Sequence, residues 1–278
     1  MGKYKVLIAA LFLFSFMIAA FFLGKSVGSK MTGSPVLPLD VEPKAVVSRE
    51  VLLAVVLDDV GYSGKNFGGI RELDVPLTLA VLPNLKYSRQ ACEFARENGL
   101  DVILHLPMEP EAETWAREKD TVISGMSPEE VEEILCSSLK SVPGAVGVSN
   151  HMGSRATGDK EAVMSLMMSL KKRGLFFLDS KTTAFSVCEK EADYYGVPYL
   201  KRDVFLDNKT DTAYVLGKMT EAGDVALKKG AAIAIGHDRE NTVKAIKAIL
   251  PELKKKGIRF ATLGEIKRKA GVFGREGH

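Results

Sequence analysis

Short apolar runs alternate with amphipathic segments along the chain from residue 51 to about residue 265. A short apolar run bounded by turn residues is typical of a strand buried on both faces of a parallel sheet. The longer amphipathic segments between the runs are typical of helices that cover such a sheet. The runs that predict strands are residues 52–57, 77–82, 101–106, 145–149, 175–178, 197–200, 231–235 and 259–263.

The amphipathic segments also carry residues that begin or end helices. Ser127, Pro128 and Glu130 form a capping box with proline at the first helical position. Pro251 lies in the last segment, where it either kinks one helix or begins a second one. The predicted helix starts are Ser88, Ser127, Asp159 and Asn241, and the predicted ends are Gly99 and Gly174.

Most of the predicted strand ends recur at intervals of about 22 to 31 residues, which is the length of one strand with one helix. The interval from His105 to His151 is longer because it holds an insertion between residues 107 and 126. This spacing predicts a single α/β domain over residues 51–270, as a complete or partial barrel, and a short tail at residues 271–278.

The amino-terminal region differs from the rest of the chain. Residues 6–23 form an uncharged apolar run broken only by Ser15, after Lys3 and Lys5. The run is about long enough to span a bilayer core. No small-residue cleavage site follows it, which favours an uncleaved membrane anchor at residues 1–24 over a cleaved signal peptide. Residues 25–50 contain several glycines and prolines and predict a tether. The domain after the anchor and the tether is expected to face the periplasm or the extracellular side.

Charge and cysteine usage exclude several classes of protein. The formal net charge is +3, and no basic cluster is interleaved with aromatic residues, so nucleic acid is not an expected partner. The three cysteines, Cys92, Cys136 and Cys188, have no spacing typical of a zinc site. An odd number of cysteines in this pattern also predicts no disulfide framework.

The first apolar run ends in two adjacent carboxylates, Asp58 and Asp59, followed by Val60 and Gly61. Two acids packed together at the end of a buried strand repel each other and lose hydration. A metal ion or a shared proton usually relieves this cost. The carboxyl edge of an α/β sheet is also where ligands bind.

All three internal histidines fall at the ends of predicted strands, namely His105, His151 and His237, and Asp179 ends another strand. In a barrel these ends converge on one face, where active sites are built. A single histidine beside an apolar run is usually a structural residue, and this interpretation weakens when three share the same topological place with a carboxylate pair. One aspartate and two histidines suit Zn²⁺ and leave a coordination position for water.

Five short motifs follow one another in a recognisable order. They are Leu-Asp-Asp-Val-Gly at residues 57–61, His-Leu-Pro-Met-Glu at 105–109, Ser-Asn-His-Met-Gly-Ser at 149–154, Phe-Leu-Asp-Ser at 177–180 and Gly-His at 236–237. Together they resemble the divergent polysaccharide deacetylases. Residues 245–265 also resemble the last helix and strand of typical polysaccharide deacetylases, and the resemblance covers about residues 52–267.

The resemblance implies a distorted (β/α) barrel of about seven strands and metal-dependent removal of N- or O-acetyl groups from sugars. Carried over to this chain, Asp58 is the base and Asp59 and His105 are metal ligands. His237 is the acid that protonates the leaving group. A metal-bound water is the nucleophile, and the implied cofactor is a divalent metal ion, with zinc favoured.

The third metal ligand departs from the family pattern. Typical members supply it from a histidine four residues after the first, and this chain has Glu109 there. The third ligand is therefore either His151, which we favour because two histidines match the usual set, or Glu109. Asp179 and Arg155 are candidates to orient these groups or to hold the oxyanion, and a surface ion pair is the equal alternative for Arg155.

Two other functions fit the same residues. One is a catalytically silent envelope protein that binds a glycan or a protein partner through this cleft. The other is a Mg²⁺-dependent phosphoryl-transfer enzyme, which is disfavoured because Mg²⁺ sites seldom use histidine and no glycine-rich phosphate loop is present. For the favoured function, the expected partners are a polysaccharide or oligosaccharide substrate and the membrane.

Overall fold

The computed structural model describes residues 50–112 and 118–273, with side chains up to residue 269. Within these residues, nine parallel strands form one sheet that is covered by eight α-helices. The strands are β1 (Val51–Val60), β2 (Thr78–Val81), β3 (Asp101–Met108), β4 (Gly147–Met152), β5 (Phe176–Asp179), β6 (Tyr199–Lys201), β7 (Val204–Phe205), β8 (Ala231–His237) and β9 (Ile258–Ala261). The helices are α1 (Phe67–Arg71), α2 (Ser88–Glu97), α3 (Pro128–Ser141), α4 (Lys160–Arg173), α5 (Cys188–Tyr195), α6 (Thr212–Lys229), α7 (Glu240–Lys255) and α8 (Leu263–Phe273).

The sheet curls into a barrel-like shape without closing. Its strand order is β6-β5-β4-β3-β2-β1-β8-β7, and β9 pairs with the beginning of β1. The two ends of this path, β6 and β7, pair with β5 and β8 and not with each other. The predicted (β/α) barrel-like fold is therefore confirmed, with nine strands in place of about seven.

Each predicted strand overlaps an observed one, and one strand was missed. β7 has two residues, which is too short for any hydrophobic pattern to mark. The sequence analysis also named no helix at α6, the longest of the described helices, although Asp211 caps its start and Gly230 ends it with a φ of 86°. The predicted amino-terminal anchor lies outside the described residues. No helix in the described part of the chain is long and apolar enough to cross a membrane.

The predicted caps explain where several helices begin. Ser127 and Glu130 form the capping box of α3, and Asp159 accepts hydrogen bonds from the first turn of α4. Ser88 differs from the prediction because it is the first residue of α2 and not its cap. Its hydroxyl donates to the Leu82 carbonyl at 2.6 Å and so ties the helix to the end of β2.

The sheet separates two apolar cores. The outer core lies between the sheet and the helices, and the inner core fills the concave side of the sheet. Along β1 the inner positions are Leu52, Ala54 and Val56, all fully buried. Because side chains alternate along a strand, the next inner position is residue 58. The inner core therefore leads directly to the acidic pair at the carboxyl end of β1.

Candidate metal centre and active site

Two strands deliver histidines to the same inner face. His105 on β3 is the register partner of Ser149 on β4, and His151 lies two residues beyond Ser149. Residues two apart on a strand point to the same face. The two imidazole rings therefore meet edge to face, with 5.1 Å between their centroids.

Asp58 and His237 meet across a second pair of strands. They are register partners on β1 and β8, which are neighbouring strands in the sheet. His237 follows Ile233 and Ile235 of the inner core at alternate positions. The carboxyl ends of β1, β3, β4 and β8 thus bring a carboxylate and three imidazoles to one edge of the sheet.

Asp59 reaches this edge through a β-bulge. β1 pairs with β2 at Leu57 and again at Val60, and β1 holds one residue more than β2 between these pairs. Asp59 has a φ of 60°, a left-handed conformation that aspartate adopts more readily than most residues. In a regular strand Asp58 and Asp59 would point to opposite faces. The bulge allows both carboxylates to face the histidines.

Asp59, His105 and His151 form the candidate metal centre. Each offers one ligand atom, and these atoms all lie within 4.8 Å of one another. Asp59 Oδ1 is 2.9 Å from His151 Nδ1 and 3.3 Å from His105 Nε2. Asp59 Oδ1 nevertheless makes no hydrogen bond to any described residue, so the three atoms converge on a shared space without bonding one another.

The electrostatics of this centre favour an ionised Asp59 beside a neutral His105. Burial alone would raise the pKa of Asp59, but the nearby imidazoles of His105 and His151 outweigh burial and hold that pKa below its ordinary value. Burial lowers the pKa of His105 to about 4. His105 Nδ1 lies 2.7 Å from Ser149 Oγ. A hydrogen bond from Nδ1 to this hydroxyl leaves Nε2 facing Asp59 with a free lone pair.

Asp58 is a buried carboxyl group whose surroundings disfavour the ionised form. It is 4% exposed, and its Oδ1 atom has no hydrogen-bond partner among the described residues. Burial, followed by the negative charges of Asp59 and Asp207, raises the pKa of Asp58 well above its ordinary value. Asp58 therefore resists losing its proton in the metal-free protein.

We expect Asp58→Asn to raise the melting temperature of the metal-free protein at pH 7. The pKa of Asp58 is higher in the folded protein than in the unfolded chain, where it is about 3.9. The protonated carboxyl group therefore contributes stability that is fully present below about pH 3.9. This contribution is lost as the pH rises through the folded pKa. As the pH rises towards 7 the parent loses this contribution, because the unfolded chain releases the proton more readily, whereas asparagine has no proton to release. A gain of about 2–4 °C corresponds to about 1 kcal/mol in a domain of this size. Calorimetry at pH 7 and pH 3 checks this, because the gain should shrink at pH 3.

His237 is oriented by a buried aspartate, Asp207, that the sequence analysis did not single out. Asp207 Oδ1 lies 2.8 Å from His237 Nδ1, and Asp207 Oδ2 accepts hydrogen bonds from the His237 backbone and from Thr242. Burial opposes ionisation of Asp207, but these contacts with His237 keep the pKa of Asp207 below its ordinary value. His237 Nε2 is thereby directed to the site, 3.6 Å from Asp59 Oδ2.

Arg202 is a second residue that the sequence analysis missed. Its guanidinium donates to the carbonyls of Ser180 and Lys181 at 2.7 and 3.0 Å, which fixes it next to the end of β5. From there its positive charge partly offsets the rise in the pKa of Asp58. Arg202 lies between two very short strands, β6 and β7, where no sequence pattern indicates which residues face the site.

The end of β4 is held in place by its own side chains. Asn150, fully buried, donates to the Met152 carbonyl at 2.7 Å and accepts from the Ser180 backbone at 2.8 Å. Gly153 has a φ of 87°, and a Cβ there would lie 2.9 Å from the Cβ of Met108. A glycine is therefore required where β4 turns away, and the turn fixes the position of His151.

Glu109 is not part of the cluster formed by Asp59, His105 and His151. Its carboxylate accepts a hydrogen bond from the Ser124 backbone at 2.9 Å, and its carbonyl accepts from Arg155 and Ala156. Glu109 thus connects the segment after β3 with the loop after β4. Of the two candidates for the third ligand, the structure brings His151 and not Glu109 to the centre.

The structure does not bring Asp179 or Arg155 into contact with the cluster. On β5 the inner core takes Phe176 and Leu178, so Asp179 faces the opposite side. There its carboxylate accepts hydrogen bonds from Ser186 and Tyr199, as well as from a backbone amide. Arg155 is exposed, and its side chain forms no ion pair with any residue that the structure describes.

Comparison with known families identifies the chain. A family model described as divergent polysaccharide deacetylase matches residues 55–266. The chain belongs to this family. The match includes the strands that carry the acidic pair and all three internal histidines, so the candidate centre is built on the part of the chain that defines the family. The suspected resemblance is therefore confirmed.

Two related proteins have no assigned function. An uncharacterized protein of Haemophilus influenzae is 36% identical over 220 residues, which cover 79% of this chain and 78% of that protein. The uncharacterized protein YibQ of Escherichia coli K12 is 35% identical over 201 residues, which cover 72% of this chain and 63% of YibQ. The names of these relatives assign no activity.

A solved structure supports the fold. The crystal structure of an uncharacterized protein from Agrobacterium tumefaciens C58 matches this chain with a TM-score of 0.73 at 24% identity. The match covers 79% of this chain and 90% of the other. At this level of identity the similarity extends to the fold alone, and the argument for function has to come from the site.

Proposed function

We propose that this member of the divergent polysaccharide deacetylase family is a metal-dependent hydrolase that removes acetyl groups from an envelope polysaccharide or a related glycan. The observation that carries the proposal is the convergence of Asp59, His105 and His151 beside Asp58 and His237. Membership of the deacetylase family supports the reaction class. The proposal assigns the metal centre to the first three residues, the role of base to Asp58 and the role of acid to His237, all at one edge of the sheet.

The residues present fit a divalent metal ion, with zinc as the favoured identity. One carboxylate oxygen and two imidazole nitrogens are a common protein ligand set for zinc, and Mg²⁺ seldom takes such a set. The buried Oδ1 atoms of Asp58 and Asp59 have no hydrogen-bond partner among the described residues, and a cation there would offset that cost. When bound, the ion would polarise the acetyl carbonyl and make a nearby water more acidic.

Asp58 is proposed as the general base. It is buried within 3.5 Å of His105 Nε2 and has a pKa raised by that burial, so it is a carboxylate with a strong tendency to take up a proton. Asp58 would accept a proton from the attacking water as the water adds to the acetyl carbonyl. Arg202 would favour the ionised carboxylate, since its positive charge partly offsets the rise in the pKa of Asp58.

His237 is proposed as the general acid. The hydrogen bond between its Nδ1 atom and Asp207 fixes the orientation of the ring, as a buried carboxylate does in other acid–base pairs. Its Nε2 atom faces the candidate centre from β8, opposite the β3 and β4 side. From there His237 would donate a proton to the leaving amine or alkoxide when the bond to the acetyl group breaks.

Elemental analysis of the purified chain separates this proposal from its two rivals. About one equivalent of zinc or a similar transition metal is expected for the deacetylase, as the ligand set requires. Magnesium alone would favour the phosphoryl-transfer enzyme. A chain that binds no metal when it is supplied with zinc would favour the catalytically silent binding protein.

The proposed substrate is a glycan of the cell envelope, and the proposed location follows from residues 6–23, which lie outside the described part of the chain. An uncharged apolar run of this length followed by a Gly- and Pro-containing segment would hold the catalytic domain near a membrane. The domain would then face the periplasm or the extracellular side, where envelope polysaccharides lie.

Fractionation of cells that express the full chain tests this location. We expect the protein in the membrane fraction, with residues 6–23 still attached and resistant to extraction with high salt, because salt does not weaken apolar insertion. Replacing Leu11 and Phe14 by aspartate should move the protein to the soluble fraction. Full-length parent protein in the soluble fraction, with an intact amino terminus, would contradict the anchor.

A further inference from the structure

The two-residue strand β7 lies at the open edge of the sheet, beside the strand that carries His237. Phe205 of β7 is the register partner of Ile235, two residues before His237 on β8. Phe205 packs against the inner core, and the next residue, Leu206, is fully buried in the outer core. Because side chains alternate along an extended segment, Asp207 returns to the side of Phe205. This segment therefore presents an aromatic ring and a carboxylate on the same side.

Both of these side chains contact the imidazole ring of His237. Asp207 Oδ1 lies 2.8 Å from His237 Nδ1. The Phe205 ring meets the imidazole edge to face, with 5.5 Å between the two centroids and 83° between the two planes. Aromatic rings attract each other in this arrangement. A hydrogen bond at one ring atom leaves the imidazole free to tilt about that bond, and the contact with Phe205 restricts this tilt.

The Phe205 ring is itself held by a cation. The guanidinium carbon of Arg202 lies 4.8 Å from the centre of the Phe205 ring, and a cation over an aromatic face is attracted to it. The guanidinium is fixed in turn, because it donates to the carbonyls of Ser180 and Lys181 after β5. Arg202, Phe205 and His237 therefore form a continuous row of contacts across the gap where β6 and β7 do not pair.

We propose that Phe205 is a positioning residue that aims the Nε2 atom of His237 at the leaving group. Nε2 is the ring atom that faces the centre, 3.6 Å from Asp59 Oδ2. A displacement of about 1 Å in a reacting group can lower the rate of an enzyme about a hundredfold. Phe205 has no group that can exchange a proton, so its effect has to act through His237. This inference rests on the proposed function, in which His237 is the acid.

The test compares substrates whose leaving groups differ in their need for a proton. In an acetylated glycan the bond between the acetyl carbon and the leaving nitrogen or oxygen breaks, and that atom keeps the electron pair and takes a proton from His237 Nε2. 4-Nitrophenyl acetate releases a stable anion that needs no proton. Zinc-loaded Phe205→Leu should lower kcat on acetylated glycans by at least about tenfold, with KM within about twofold of the parent. Its kcat on 4-nitrophenyl acetate should stay within about twofold of the parent.

His237→Gln provides the reference for this selective loss. It should lower kcat on the glycans far more than kcat on 4-nitrophenyl acetate, because it removes the proton donor. In the His237→Gln background, Phe205→Leu should lower kcat on the glycans by less than about twofold, since the group that Phe205 aims is no longer present. A further loss of about tenfold in this background would mean that Phe205 acts by another route, and would overturn the proposal.

Phe176 provides a matched control. It belongs to the same inner core, but it begins β5, at the end of that strand away from the site. Phe176→Leu makes the same change in the core and should lower the melting temperature without a selective loss on the glycans. Phe205→Tyr keeps an aromatic ring beside His237 and should retain most of kcat. Equal losses of Phe205→Leu on both kinds of substrate, no loss on the glycans, or a selective loss in Phe176→Leu would overturn the proposal.

A measurement on the metal-free protein separates failure of this inference from failure of the proposed function. The NMR order parameter of the His237 Cε1–H bond reports how firmly the ring is held on the picosecond to nanosecond timescale. We expect a lower order parameter in Phe205→Leu than in the parent, and no change in Phe176→Leu. If the parent releases no acetate from any glycan, the proposed function fails, and a lowered order parameter still shows that Phe205 fixes the ring. An equal order parameter in Phe205→Leu and the parent would overturn the positioning role.

Discussion

Replacing Asp59 or His151 by alanine is expected to abolish metal binding at the candidate centre. Each replacement removes one of three ligand atoms that lie within 4.8 Å of one another. Loss of a residue that only supports a ligand typically costs about 10–100-fold in metal affinity, so loss of a ligand should cost more than about a hundredfold. Zinc affinity measured by competition with a chelator of known affinity checks this expectation, with circular dichroism to confirm folding.

Glu109→Gln is the matched control for these ligand variants. Glutamine keeps an oxygen that can accept the hydrogen bond from the Ser124 backbone, so the loop should hold its position. Glutamine also removes the negative charge with which Glu109 would bind the metal ion if it were the third ligand. We expect zinc affinity within about threefold of the parent, since no ligand is lost. A Glu109→Gln protein that loses zinc while His151→Ala keeps it would reverse the choice of third ligand.

The second large effect concerns turnover without loss of metal. Asp58→Asn and His237→Gln are each expected to lower kcat for acetate release by about a hundred- to ten-thousandfold. Asparagine cannot accept the proton from water, and glutamine cannot donate one to the leaving group. Both replacements keep the approximate shape of the side chain, and glutamine can still donate a hydrogen bond to Asp207. Neither residue belongs to the metal cluster, so both variants should retain about one equivalent of zinc.

The two variants should also differ in pH dependence. The parent should show a bell-shaped profile of kcat/KM because it needs an ionised base and a protonated acid. Removal of Asp58 should flatten the acidic limb, whereas removal of His237 should leave that limb in place. If both variants match the parent on a substrate that the parent deacetylates, the assigned roles are wrong.

The convergence of the histidines could be predicted from the sequence because strand ends are easy to locate. His105, His151 and His237 each follow an apolar run, and parallel strands present their carboxyl ends on one edge. That reasoning places residues near one another without fixing which side of a strand they face. Asp179 shows the limit, since it ends β5 on the face opposite the inner core.

The remaining features of the site depend on local geometry that has no simple sequence pattern. The bulge at Asp59 changes the direction of a side chain by the insertion of one residue, and a regular strand would have separated the two carboxylates. Asp207 and Arg202 lie beside β6 and β7, which are three and two residues long. Strands this short show no alternation of apolar and polar residues. Only the three-dimensional structure therefore shows that Asp207 contacts His237 and that Arg202 lies near Asp58.

The most direct test of the account is a zinc titration of the chelated full-length chain in detergent, with acetate release from a panel of acetylated glycans as the readout. The account predicts no release before zinc is added and a linear rise that stops at about one equivalent. Asp59→Ala should show no rise under the same conditions. A chain that binds one equivalent of zinc but releases no acetate from any glycan, or one whose activity is unaffected by chelation, would contradict the proposed metal-dependent deacetylase.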